Sequence, residues 1–436
     1  MNNSKFIYCL LVFFIISNVK AQSNEYKLSQ LLDSALQKNY LLQANERNTK
    51  IKLADIEILK TKYLPRISTS LNFSYWKFLL PNKQRLLGET LTDMYTDITF
   101  YQTIYDWGKN RERKAITQDE IELNDEIRRQ IKNTVIWGIS SLFFEALKTK
   151  TEIAVHQNSL KQLESHLQYA ANLYKIGKVS KIDVLKINVQ ISVEEKKLRK
   201  TQNDFQGKLI EIKRLCYLNE NENLSIKDIS KEIYNKTKNL TFFADSLYSE
   251  ILRVHPELSA KDQQIVIESK QKELLELQNL PEVYSYGIAS FEDGYIPFGN
   301  NFNYNIGVGI RYTIPFWGGS SYKTEMIQSD YRIEQLRYEK NQVLIDIKKE
   351  IDLTLNSIVD LKSEIINNKK IIELASETLD NASVQYKSGQ GSIIDVLDAQ
   401  AILTEATIAF ESSTISYLQT LVKLHYLTGN DNYPFN

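Results

Sequence analysis

Tyr174-Lys-Ile-Gly177-Lys-Val-Ser180-Lys-Ile-Asp183-Val-Leu185 returns as Tyr386-Lys-Ser-Gly389-Gln-Gly-Ser392-Ile-Ile-Asp395-Val-Leu397, 212 residues further along the chain. Other landmarks repeat around this pair in the same order. Leu64-Pro65 returns as Leu280-Pro281, Thr103-Ile104 through Trp107-Gly108 as Thr313-Ile314 through Trp317-Gly318, and Asn39-Tyr40 as His255-Pro256. The offsets stay between 210 and 216 residues, and the drift falls between landmarks, where loops absorb it. The chain is two tandem copies of one unit.

Each copy reads helix, strand, strand, helix, helix. The first helical piece runs from about Leu28 to Leu64, its copy from about Ser246 to Leu280, and Pro65 and Pro281 end them. Strands are predicted at about 66–76, 94–105, 282–291 and 304–315. In Ile67–Tyr75 the odd positions are mostly apolar and the even ones Ser or Asn; in Asn305–Ile314 the even positions are Ile306, Val308, Ile310, Tyr312 and Ile314. Period two gives one apolar and one polar face, as a membrane barrel wall requires. The partner strands are weaker: Gln102 falls on the apolar face, and Glu282–Phe291 alternates poorly. After each second strand an aromatic-Gly turn opens a very long helix, 109–175 and 320–387. The seam Leu160, Leu163, Leu167, Ala170, Tyr174 steps by three and four, and so does Ile372, Ala375, Leu379, Ala382, Tyr386. That spacing is a coiled-coil seam.

A 67-residue helix is ~100 Å long at ~1.5 Å per residue, and the shorter helices, such as 180–217, span about half that. Two short helices end to end match one long one. The expected organisation is a signal peptide at 1–21, repeat 1 at 22–218, a linker rich in Asn, Lys and Glu at 219–244, and repeat 2 at 245–436. Four strands cannot close a barrel, which begins at ~8 strands, and an open edge does not survive in lipid. The chain is therefore expected to oligomerise.

Lys5, the apolar run Phe6–Ile16 and the site Val19-Lys20-Ala21 form a secretory signal, with cleavage expected after Ala21. No later stretch has the length and apolarity of a membrane helix. Cys9 leaves with the signal and Cys216 remains alone, which excludes an intramolecular disulfide. The 54 basic and 54 acidic residues balance, giving no field that would draw nucleic acid. Four scattered histidines show no metal spacing, and no nucleophile-base pair or phosphate loop suggests an enzyme or a cofactor.

The duplicated Tyr-x-x-Gly-x-x-Ser-x-x-Asp-Val-Leu, the Leu-Pro before the first strand and the Trp-Gly after the second resemble the TolC-like outer-membrane efflux family. The resemblance covers about Tyr26 to Gly429. It implies a mainly α fold with a membrane β-barrel portion: a homotrimer whose chains each give four strands to a shared twelve-stranded barrel and long helices to a periplasmic tunnel. It implies docking to a periplasmic adaptor and an inner-membrane transporter, as in tripartite efflux or type I secretion. The competing reading is a soluble periplasmic coiled-coil scaffold or adaptor, which has no need of four strands at fixed places.

The resemblance also implies roles for the tips. Ile176, Gly177, Lys178 and Val179, with Gly389, Gln390 and Gly391, would face the adaptor. Asp183, Tyr386, Asp395 and Asp398 would form a periplasmic gate. Asp395 and Asp398 share a helix face, and a trimer would make each a ring of three carboxylates. Two plainer readings stand beside these. Gly177 and Gly389 supply positive φ to turns, and Asp183, Asp395 and Asp398 are first-turn acids that complement a helix dipole. The chain departs from the family at Ser388, where an apolar residue is usual, and at Gly391, where some members carry a basic residue. Ile182 cannot hydrogen-bond, and Lys186 lies three residues after Asp183.

Overall fold

The computed structural model describes residues 24–219, 221, 223–293, 301–312, 319–430, 432, 433 and 435. The expected signal peptide at 1–21 and the second aromatic-Gly turn, with Trp317 and Gly318, lie outside these residues.

Strand β1 (Asn24–Tyr26) leads into helix α1 (Leu28–Lys38) and then α2 (Tyr40–Lys60). A 3-10 turn at Thr61–Tyr63 precedes β2 (Arg66–Lys77), and a short helix α3 (Pro81–Leu87) bridges to β3 (Thr90–Tyr105). Helices α4 (Lys109–Lys175) and α5 (Lys181–Leu215) follow. Next come β4 (Leu224–Ile226), α6 (Ser230–Thr237) and α7 (Ala244–Val254). The second copy continues with α8 (Pro256–Gln278), β5 (Glu282–Asp293), β6 (Asn301–Arg311), α9 (Gly319–Ser388) and α10 (Ile393–Leu427).

One expectation needs correction. The first helical piece of each copy is broken at one residue. Asn39 is extended at φ −63°, ψ 120°, and its Oδ1 accepts from the N–H groups of Leu41 and Leu42, at 2.9 and 3.1 Å, so it caps α2. His255 repeats the break at φ −66°, ψ 118°, because Pro256 bars the residue before it from the helical region. The expected linker at 219–244 carries secondary structure of its own, β4 and α6. Within it, β4 pairs in parallel with β1, Asn24 to Leu224 through Tyr26 to Ile226.

The chain forms two compact units. The first holds the described residues up to Gln43, Arg128–Pro256 and Leu344–Asn436. Its core includes Leu31, Leu32, Phe143, Phe144, Ile251, Tyr417 and Leu418, all fully buried. Trp137 stacks on Tyr426, and Asn133 donates to the Tyr426 carbonyl at 2.9 Å. The Tyr417 hydroxyl donates to the Thr237 carbonyl at 2.7 Å and ties α6 to α10.

The second unit, Ala44–Ile127 with Glu257–Val343, carries one antiparallel sheet in the order β2-β3-β5-β6. Ile67 pairs with Phe100, Phe100 with Gly287 and Gly287 with Ile306, which sets these residues on one face. That face carries Leu71, Phe73, Ile98, Val308 and Ile310, and it is bare: Phe73 is 74% and Ile306 80% exposed. The other face is polar, with Ser68 bonded to Thr99 at 2.6 Å and the Ser70 hydroxyl donating to Asp97 at 2.7 Å. Gln102 lies on the apolar face, and its amide donates to the Tyr63 carbonyl at 3.1 Å. No helix among the described residues is long and apolar enough to cross a membrane.

The poor alternation of β5 has a steric cause. Its polar-face positions hold Tyr284 and Tyr286, paired with Gly309 and Gly307 of β6. A Cβ on either glycine would sit 2.7 Å from the opposing tyrosine. Its apolar-face positions Ser285, Gly287 and Ala289 are small, and the bulk beside them comes from Val308, Ile306 and Tyr304.

Candidate functional site

The predicted site residues converge at the two helix-turn-helix tips of the first unit. The first tip ends α4 with Gly177 at φ 73°. Its N–H donates to the Tyr174 carbonyl and that of Lys178 to the Leu173 carbonyl, both at 2.9 Å. This double bond pattern, closed by a left-handed glycine, is the Schellman termination. The second tip repeats it with Gly389 at φ 78°: Gly389 donates to Tyr386 at 3.1 Å and Gln390 to Gln385 at 2.9 Å. Each following helix opens on a serine cap. The Ser180 N–H donates to Asp183 Oδ2 and that of Ser392 to Asp395 Oδ2, both at 3.2 Å. The Ser180 hydroxyl accepts from the Asp183 N–H in return. Asp183 and Asp395 are therefore capping-box acids, while Asp398 is exposed one turn further along α10.

The repeats differ inside the tip. Tyr386 is buried, whereas its counterpart Tyr174 is 46% exposed. Tyr386 sits in an apolar cluster with Ala170, Ile187, Leu379, Ile393 and Val396, and Val179 packs against it. The Tyr386 hydroxyl has no partner among the described residues. Burial, then the neighbouring Asp183 carboxylate and Tyr169, push its phenol above the usual value. Gly391 donates to the Gln385 carbonyl at 3.0 Å, and a Cβ there would lie 2.9 Å from the Gln385 Cβ and 3.0 Å from the Tyr386 nitrogen. The close approach explains why no side chain stands at 391, while Val179 fills the matching place in the first tip. Ile176, Lys178 and Gln390 are exposed.

Behind the tips lies a polar layer that the heptad reading passed over. Gln400 donates to Gln162 Oε1 at 2.7 Å, and the Thr404 hydroxyl donates to Ser159 at 3.2 Å. Further along, His156 Nδ1 lies 2.8 Å from the buried Glu194 carboxylate. The spacing Gln400-Thr404 against Ser159-Gln162 was the available signal: polar pairs three or four apart, beside an apolar seam.

Residues 31–216 match the sequence profile of the outer membrane efflux protein family. The outer membrane efflux protein BepC of Brucella suis biovar 1 is 21% identical over 388 residues, 88% of this chain and 81% of its own. The outer membrane protein TolC of Salmonella enteritidis is 20% identical over 440 residues, 97% and 86%. In fold, the outer membrane protein VceC of Vibrio cholerae aligns with a TM-score of 0.75 at 15% identity, over 93% of this chain and 97% of that one. The duplicated architecture, the bare-faced sheet and the matches along nearly the whole chain agree: this chain is similar, in sequence and in fold, to the TolC-like outer membrane efflux proteins.

Proposed function

We propose that the chain is the passive exit duct of a tripartite efflux or type I secretion assembly. Three copies close a twelve-stranded barrel, and the helices continue as a tunnel through the periplasm. The observation that carries this reading is the sheet of the second unit. It has one apolar face without cover, one polar face, and two strands, β2 and β6, each paired on one side only. Such a sheet is stable in lipid only when its edges find further strands. An exposed apolar stripe on α5, Ile182, Leu185, Val189 and Val193, steps by three and four and offers neighbouring copies a packing surface.

In this reading the tip residues Ile176, Gly177, Lys178, Val179, Gly389, Gln390 and Gly391, of which Val179 and Gly391 are half-buried, dock a periplasmic adaptor, which couples the duct to an inner-membrane transporter. Asp398 and the outer oxygens of Asp395 and Asp183, with Tyr386 beside them, line the closed periplasmic end, where rings of like charge gather cations. Gly391 brings no cation to latch the gate.

Planar-bilayer recording tests the proposal. The purified protein should conduct, and multivalent cations added from the periplasmic side should block it. Asp398→Ala with Asp395→Asn should remove the block. Native mass spectrometry should give a trimer, and a lipid-embedded monomer would overturn the shared barrel.

A further inference from the structure

The polar face of the sheet ends, near the start of α4, in a cavity of about 480 Å³ within the second unit. Five cationic side chains line it: Lys62, Arg66, Lys109, Arg113 and Arg311. The two carboxylates there, Asp106 and Glu282, are already engaged. Asp106 accepts from the Tyr63 hydroxyl at 2.6 Å and from the Gly108 and Asn110 N–H groups at 3.1 and 2.9 Å, holding the turn and capping α4. Glu282 Oε1 accepts from Tyr101 and Thr103, at 3.1 and 2.7 Å, and its other oxygen stands 4.0 Å from Arg311.

The cations divide accordingly. Arg311 lies over the Tyr284 ring, 4.9 Å from its centroid, and Lys109 is spent on the Leu280 carbonyl at 2.6 Å. Lys62, Arg66 and Arg113 have no carboxylate partner among the described residues. Lys62 and Arg113 are half-buried. Burial first, then the repulsion of Arg113 and Arg66, outweigh the attraction of Asp106 and Glu282 and hold the Lys62 ammonium below its usual value. Five cations against two carboxylates in a partly desolvated cavity leave an excess of positive charge, which destabilises the fold unless an anion joins them.

We propose that this cavity binds a small soluble oxyanion, a phosphate-, sulfate- or carboxylate-bearing solute, between Lys62, Arg66 and Arg113. Guanidinium forks match the paired oxygens of such groups, and the cavity is roomy enough for one. It opens on the polar face, away from the apolar face that meets lipid, so the ligand comes from the channel interior rather than from a phospholipid headgroup. The proposal rests on reading that polar face as the channel lining. It gives the duct a place where anionic cargo, or its counter-ion, pauses.

The experiment titrates inorganic phosphate calorimetrically into the full-length, detergent-purified protein. Binding is expected, and Arg66→Gln with Arg113→Gln should weaken it at least about tenfold, as loss of charge-assisted hydrogen bonds does. Lys62→Gln, a milder change, should weaken it by a smaller factor with the circular dichroism spectrum unchanged. No measurable binding, or equal affinity in the arginine variant, overturns the site. A second arm presents phosphatidylglycerol vesicles: arginine-dependent vesicle binding with no phosphate binding overturns the soluble ligand in favour of lipid. Bilayer recording of the same preparations keeps the two readings apart. A protein that binds phosphate but never conducts sinks the channel reading and leaves the site, whereas a conducting protein indifferent to phosphate does the reverse.

Discussion

One substitution, glycine to alanine, should move the local stability of the first unit in opposite directions at different positions. Gly138 lies inside α4, and a Cβ there meets nothing within 4 Å. Alanine removes backbone freedom from the unfolded chain, so the helix should gain ~0.5–1 kcal/mol. Gly389 is equally uncrowded, but its φ is 78°, and a left-handed alanine costs roughly 1–2 kcal/mol. At Gly391 the obstacle is contact: the new Cβ would stand 2.9 Å from the Gln385 Cβ and 3.0 Å from the Tyr386 nitrogen. Neither is the flexible end of a side chain, so backbone must yield, at about 1–3 kcal/mol. At ~1.4 kcal/mol per factor of ten, Gly391→Ala should speed amide exchange at the second tip by about 5- to 100-fold, read at the Gln390 and Gly391 N–H groups that close the turn. Gly138→Ala should slow exchange in the surrounding α4 amides by about 2- to 5-fold. Hydrogen–deuterium exchange with peptide-level mass spectrometry resolves both. Unchanged or slower exchange around 391 would refute the packing argument for the second tip.

Three further outcomes follow from buried groups. Burial pushes the Cys216 thiol up to about 12, so the folded protein at pH 8 should resist alkylation that is immediate in denaturant, as intact-mass measurement will show. Burial, with Arg129 adding to it, holds His255 down to about 4. The unfolded chain takes up that proton near ~6.5, so the contribution is complete above that pH. It should fall by up to about 3 kcal/mol as pH drops towards 4, and His255→Gln should flatten this part of a urea-midpoint series. Tyr417→Phe removes the bond to the Thr237 carbonyl, which keeps only the Leu240 N–H at 2.9 Å, at about 0.5–1.5 kcal/mol. Limited proteolysis should then cut between 229 and 243 faster than in the wild type, and an unchanged rate would count against α6 being held there.

The duplicated frame was legible because it rests on strong local signals. Pro65 and Pro281 stop helices, β2 and β6 alternate cleanly, and the long helices carry an unbroken seam. What escaped depends on a partner elsewhere in the fold. β5 reads poorly alone because its small residues are completed by β6, and its tyrosines need Gly307 and Gly309 opposite them. The break at Asn39 was hidden because asparagine in a helical run is ordinary, and only its cap bonds to Leu41 and Leu42 reveal it. Pro256 was the readable half of that symmetry. At the tips, the glycines and aspartates were visible, but the burial of Tyr386 against the exposure of Tyr174 was not, since both occupy the same motif position. The basic cavity could not be read either: its cations are scattered from Lys62 to Arg311.

The tyrosine–glycine pairs of β5 and β6 bear on how thick the sheet is. A tyrosine standing upright on a sheet adds the length of its ring to the height of that face. Tyr284 and Tyr286 instead lie over neighbouring backbone that has no side chain to lift them. The aromatic surface is thus gained with little added height on the polar face. Even a methyl group at 307 or 309 would stand 2.7 Å from these rings and push them off the sheet, so at these two positions the height of the polar face is set by the absence of an atom.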